Sequence, residues 1–164
     1  MMQNKLRITI LFTCLATYFI KAQELDNDIK IHTEKIKLRS QLWNTSYNTH
    51  DSLSFYSLFD SLTIITSAGG RWIGGEDCKR LCRKLYAKRP DISWTNTLKT
   101  IEINKQWSVA YENGDWIEAW TEKGDSSKSK IIGKYWMMWK YKENNWFIHS
   151  AIFTPLSCEG SYCK

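Results

Sequence analysis

Residues 107–154 read WSVAYENGDWIEAWTEKGDSSKSKIIGKYWMMWKYKENNWFIHSAIFT, and this stretch decides the fold. It carries six of the nine tryptophans, so whatever it forms must bury most of the chain's indole surface. Four runs read as β-strands separated by turn signals. Residues 107–112 end at Asn113-Gly114, a dipeptide favoured in two-residue hairpins because both central positions take positive φ, and residues 115–122 return from it. Residues 123–129 form a loop rich in Gly, Ser and Asp. Residues 130–142 are a long strand, 142–145 a turn and 146–154 the closing strand. An antiparallel meander of this length has a face that must be covered, and the rest of the chain supplies the cover.

Alternation assigns the faces. Tyr135, Met137 and Trp139 share one with Gly133; Trp136 and Met138 share the other with Lys134 and Lys140. Trp116, Glu118 and Trp120 lie together on the preceding hairpin. Both faces are apolar. One lines the core and a pocket; a second subunit would cover the other.

Upstream, residues 92–104 form a strand. Ile92, Trp94 and Leu98 alternate in one phase, Ile101 and Ile103 in the other, which places a bulge between Leu98 and Ile101 and bends the sheet. Residues 76–88 form a helix, with Glu76 and Asp77 at its positive end and Pro90 beyond its stop. Its Cys78, Leu81, Cys82 and Leu85 share a face, and Lys79, Arg80, Arg83, Lys84, Lys88 and Arg89 crowd the remainder. That basic face reads as a solvated surface or as a contact for an acidic partner. Residues 62–66 and 71–73 are short strands around the Ser67-Ala68-Gly69-Gly70 turn. Residues 24–48 read as a helix with Leu25, Ile29, Ile36, Trp43 and Tyr47 near one stripe. Residues 52–59 read as a short helix that Thr49 or Asp51 caps.

The chain has 164 residues, is 43% hydrophobic and 14% aromatic, and contains two prolines, which suits one packed domain rather than a disordered chain. Residues 1–22 read as a signal peptide of bacterial type: Lys5 and Arg7, then the apolar run 8–20, then a cut after Ala22. The competing reading is a membrane anchor, for which the run is short. The single domain is then 23–164, periplasmic or secreted. Losing Lys5, Arg7 and Lys21 and no acid lowers the formal charge from +6 to +3, which does not argue for nucleic acid. No membrane partner is expected once the leader is gone.

Cys78, Cys82, Cys158 and Cys163 remain as disulfide candidates. Three pairings are possible. Cys158–Cys163 closes a short loop and is the easier bond; the alternative ties the tail to the helix. The C-x3-C and C-x4-C spacings do not suit zinc. No sequence signature calls for a cofactor, and none of the common hydrolase, zinc-protease or dinucleotide motifs is present.

Several short motifs carry a resemblance: Trp43-Asn44 and Asp51, Gly69-Gly70 with Gly74, Gly133-Lys134-Tyr135 with Trp139-Lys140, Asn145-Trp146-Phe147-Ile148, and Phe153-Thr154-Pro155-Leu156. In this order, over about residues 30–156, the chain resembles the NTF2-like (SnoaL-like) superfamily and its DUF4440-type domains. The resemblance implies an α+β cone: a curved antiparallel sheet covered by three helices, a pocket at the open end, and often a homodimer through the outer sheet face. It implies little about chemistry, since isomerases, cyclases, epoxide hydrolases, dehydratases and binding domains share this fold. The carboxylate base and oxyanion donors of the ketosteroid isomerases are not carried over, because the meander offers no interior Asp.

Tyr47, Tyr56, Trp72, Trp120 and Tyr135 are the expected ligand-binding residues. Asp51 and His149 are the candidate bases, working with Tyr47 or Tyr135 as donor. The plainer alternative makes Asp51 a helix cap and His149 a hydrogen-bonded core residue. Glu102 and Glu118 read as cross-strand partners of Lys or Arg. The expected function is binding of a small apolar or aromatic molecule. The alternatives are an isomerase, cyclase or dehydratase in the same pocket, or a protein-interaction module.

Overall fold

The computed structural model describes residues 2–124 and 127–163, with side chains described for residue 23 and from residue 25 onward. Of the expected leader, residues 1–22, the backbone is described from residue 2 and the side chains lie outside that description, as do residues 125 and 126 of the 123–129 loop. Two compact units are present, residues 1–35 and 36–164. Helix α1 runs over Met2–Asn48. In the first unit Leu25 is exposed and Ile29 half-buried, so the expected stripe is not a buried face there. Among the described residues, no helix is long and apolar enough to cross a membrane.

The second unit holds the core. On α1, Ile36, Ser40, Trp43 and Tyr47 recur at helical spacing and are buried. Then come α2 (Ser52–Tyr56), β1 (Phe59–Ser67), β2 (Gly70–Ile73), α3 (Gly74–Lys88), β3 (Ser93–Asn104), β4 (Val109–Thr121), β5 (Lys128–Lys142) and β6 (Asn145–Glu159). The helix expected over 52–59 stops early. The Leu58 carbonyl accepts from the Ile148 amide at 2.8 Å and Phe59 pairs with Ile148, so the sheet takes the backbone groups that another helical turn would need.

The strand order is β2-β1-β6-β5-β4-β3. β3 to β6 form the expected antiparallel meander, while β1 joins β6 in parallel and makes the sheet mixed. One turn moves. Asn113-Gly114 is not a hairpin: β4 passes straight through it, and Gly114 pairs with Leu98 on one side and Tyr135 on the other. A Cβ at Gly114 would collide with the Thr97 carbonyl oxygen and lie 2.8 Å from the Tyr135 ring. The glycine serves close packing, not reversal. The chain reverses instead through a 3-10 turn, Lys105–Trp107, after which Ser108 takes a φ of 52°. The β5–β6 hairpin turns on Glu143 and Asn144, both with positive φ, where the sequence places it.

Bulges bend the antiparallel meander, and the parallel β1–β6 pairing also shifts register between Phe59 and Ile64. One bulge of the meander lies at Leu98/Thr100, as expected from the phase change; the others insert His149 and Leu156 into β6. α1 fastens to the free edge of β3 through two side-chain amides. Asn48 Oδ1 accepts from the Trp94 amide at 2.6 Å while its Nδ2 donates to the Trp94 carbonyl at 2.9 Å. Asn44 repeats the pattern with Asn96. At Trp94 and Asn96 the edge is thereby closed to another strand, and Trp43 is held beside Trp94. Trp94 and Trp116 stack in parallel with centroids 4.7 Å apart, and Trp43 meets Phe55 edge-on at 4.8 Å.

Candidate functional site

Between the helices and the concave sheet face lies a cavity of about 490 Å³. Pockets of that size hold small organic molecules. Trp43, Tyr47 and Phe55 wall one side. α3 contributes Cys78, Leu81, Cys82 and Leu85, the face that its i, i+3, i+4, i+7 spacing predicts. The sheet contributes Trp94, Trp116, Glu118, Ile131 and Phe153, the end of β6 Pro155 and Cys158, and the tail Tyr162.

Few polar groups enter this aromatic wall. The Tyr47 hydroxyl donates to Glu118 Oε1 at 3.0 Å. Burial pushes the Glu118 carboxyl above the usual carboxylate range; the Tyr47 bond and the nearby Arg89 charge pull it only part of the way back. Burial, reinforced by Glu118, pushes the Tyr47 phenol well up. The pair is a carboxyl that gains a proton readily beside a phenol that does not lose one. Burial also lifts the Cys78 thiol to about 11, with Asp77 adding, and the Cys82 thiol to about 12, with Cys78 and Glu118 adding. Both are unreactive free thiols. Trp43 Nε1 and Arg89 Nε are buried and have no hydrogen-bond partner.

Of the expected ligand-binding residues, Tyr47 and Trp72 line the cavity. Tyr135 points its hydroxyl to Glu112, at 2.7 Å. Trp120 lies against Arg89, and Tyr56 donates to the Lys79 carbonyl at 3.3 Å. None of these three is part of the wall. The two candidate bases are not brought to it either. Asp51 is exposed and caps α2, accepting from the Ser54 amide at 3.1 Å. His149 is the inserted residue of a β6 bulge, its Nδ1 3.6 Å from Asp60 Oδ2. Neither meets Tyr47 or Tyr135, so that base–donor pairing does not form.

Two buried carboxyls, Glu118 and Glu112, hold the polar contacts instead. Glu118 faces Tyr47 rather than a cross-strand cation; its place beside Trp116 and Trp120 was the available signal. Glu112 is fully buried and gathers the Ser40 and Tyr135 hydroxyls, each at 2.7 Å, and the Trp139 indole N–H at 2.9 Å. Cys158 and Cys163 form a disulfide, the shorter of the expected pairings. Glu76 and Asp77 pair with Lys79 and Arg80 at 2.6 Å, so part of α3's basic face is neutralised within the helix. Among the described residues, no cluster of His, Cys, Asp or Glu could hold a metal ion.

Solved structures share this architecture. A hexachlorocyclohexane dehydrochlorinase (LinA) of type 2 superposes with a TM-score of 0.75 at 14% identity, over 82% of this chain and 92% of its own. A putative scytalone dehydratase from Novosphingobium aromaticivorans gives 0.71 at 9% identity, over 81% and 89%. An NTF-2 like protein of unknown function from Shewanella oneidensis gives 0.60 at 16%, over 74% and 98%. No family model matches the sequence, and no curated protein aligns with it. At these identities the likeness shows the fold alone, and that fold is the NTF2-like α+β cone.

Proposed function

We propose, starting from an NTF2-like cone, that this protein binds a small, flat, largely apolar molecule in its cavity. The observation that carries the reading is a hollow of about 490 Å³ walled by aromatic rings, with only a few polar groups to orient a guest. The test is fluorescence titration with the neutral dye N-phenyl-1-naphthylamine. The wild type should bind it saturably. Leu81→Trp, which fills the hollow from α3, should lose binding while keeping its far-ultraviolet dichroism. Equal binding by the variant would overturn the reading.

Glu118 and Tyr47 favour a second reading, an acid–base enzyme in the same cavity. A buried carboxyl with a raised pKa, hydrogen-bonded to a phenol, can move a proton next to a carbonyl. Glu118 replaces Asp51 and His149 in that role. Two neighbours in fold carry the names dehydrochlorinase and putative dehydratase, both eliminations. Solvent deuterium entering 2-tetralone, and ceasing to enter with Glu118→Gln, would support it; no exchange above buffer would count against it.

A homodimer through the outer sheet face fits the same reading. Tyr111, Ile117, Trp136 and Ile152 stand exposed there, with Tyr111 and Trp136 in ring contact. Light scattering should give a dimer for the wild type and a monomer for Trp136→Glu. Export fits the Cys158–Cys163 bridge, since disulfides persist outside the cytoplasm. The N-terminus of the purified native protein should then be Gln23.

A further inference from the structure

Arg89, expected on the basic face of α3, is instead buried near Glu118, whose pKa its charge lowers. It follows α3, lines the cavity, and is only 7% exposed. Its Cζ lies 3.7 Å from the Trp120 ring centroid and 4.9 Å from that of Tyr162. Aromatic rings satisfy the faces of a guanidinium and leave its N–H fork free to donate in plane. Here Nε is buried without a partner. A buried cation with an unused donor is unfavourable unless something brings the opposite charge. Glu118 is the acid that faces it in the cavity, yet Glu118 accepts from Tyr47 and does not accept from Arg89 Nε. A second unpaired donor, Trp43 Nε1, belongs to the same wall. The cavity wall thus holds a positive charge and, just behind its surface, two donors without partners.

We infer that Arg89, clamped by Trp120 and Tyr162, is an anion-binding subsite, and that the ligand is a small aromatic carboxylate whose ring fills the hollow. This rests on the proposed binding function and narrows it to a ligand class. The carboxylate would take the in-plane donors of Arg89, and Tyr162, on the disulfide-closed tail, would hold the guanidinium in that orientation.

The experiment compares 2-naphthoate with 2-naphthamide by isothermal titration calorimetry at pH 7. The ring systems are identical, and the carboxamide lacks the charge and replaces one acceptor oxygen by an N–H donor group. Wild type should bind naphthoate at least about tenfold more tightly, the scale of one charge-assisted bidentate contact. Arg89→Gln should bring naphthoate down to the amide's affinity and leave naphthamide within about twofold, as expected if only a charged contact is lost. Arg89→Lys keeps the charge without the planar fork. It should retain part of the preference, and it serves if Arg89→Gln does not fold. Equal binding of the two compounds by wild type, or a preference that survives Arg89→Gln, would overturn the subsite and leave the cavity reading standing. Binding of neither compound would overturn both.

Discussion

Replacing Glu112 separates the work of its charge from that of its hydrogen bonds. The side chain is fully buried. Oε1 accepts from Ser40 and Tyr135, each at 2.7 Å, and Oε2 from Trp139 at 2.9 Å. Leucine would strand these donors at about 1–3 kcal/mol each, less whatever the two hydroxyls recover by turning. We expect Glu112→Leu to lose about 3–5 kcal/mol, a large share of a small domain's stability. Glutamine keeps the shape. Its carbonyl can accept from the indole while its amide donates to the hydroxyl oxygens, so the loss at neutral pH should stay under about 1.5 kcal/mol. Dependence on pH is the sharper signature. Burial raises the Glu112 pKa, and the bonds from Ser40, Tyr135 and Trp139 offset only part of that. The folded pKa therefore exceeds the unfolded value of about 4.3. The group's contribution is fully present below the unfolded value and is lost as pH rises through the folded one, at up to about 1.4 kcal/mol per pH unit. Urea unfolding of wild type and Glu112→Gln between pH 4 and 8 measures the difference. The wild type should gain on the variant as pH falls. A difference that is flat, or that moves the other way, would mean that burial does not raise the Glu112 pKa, and leucine no worse than glutamine would mean that the three hydrogen bonds contribute nothing.

Gly114→Ala should cost about 2–3 kcal/mol by thermal melt, because the added methyl meets a strand carbonyl that cannot step aside. A loss below about 1 kcal/mol, the scale of an ordinary glycine replacement, would favour the discarded hairpin. Burial pushes the Asp60 carboxyl up, but hydrogen bonds from Lys142, the Leu62 amide and the Ser61 hydroxyl outweigh it and bring the pKa to about 2. Its stabilisation is present above the unfolded value of about 3.9 and is lost as pH falls through about 2, so the advantage of wild type over Asp60→Asn should vanish across that window in acid titration followed by circular dichroism. Reducing Cys158–Cys163 opens a short loop and should cost about 2 kcal/mol. In the native protein Cys78 and Cys82 should resist iodoacetamide at pH 8; rapid labelling would show that the α3 face is not buried.

The meander was readable because period-two alternation persists over long runs. Gly133, Tyr135, Met137 and Trp139 are buried in the order that alternation assigns. The bulge near Lys99 was readable for the same reason, since it shifts the phase from Leu98 to Ile101. Asn113-Gly114 misled because a glycine that permits a turn also permits a close strand crossing, and only the neighbouring strands distinguish the two. The site was less legible. Tyr47 and Trp72 follow from helix phase and turn position. Arg89 does not, since nothing local distinguishes it from the exposed cations of α3, and its burial depends on Trp120 and on a tail some seventy residues away. Asp51 and His149 drew notice as titratable groups, but capping claims the first and a bulge displaces the second.

If the hollow between the helices and the sheet takes up a small molecule, the nine indoles report on it directly. Proton–nitrogen correlation spectra of the indole N–H groups, recorded while 2-naphthamide is added, should show saturable shifts for Trp43, Trp72, Trp94 and Trp116, which line the cavity. Trp107 and Trp136, exposed on the outside, should stay still. Shifts confined to Trp107 and Trp136, or no saturable shift at the four lining indoles, would show that the hollow takes up no such molecule.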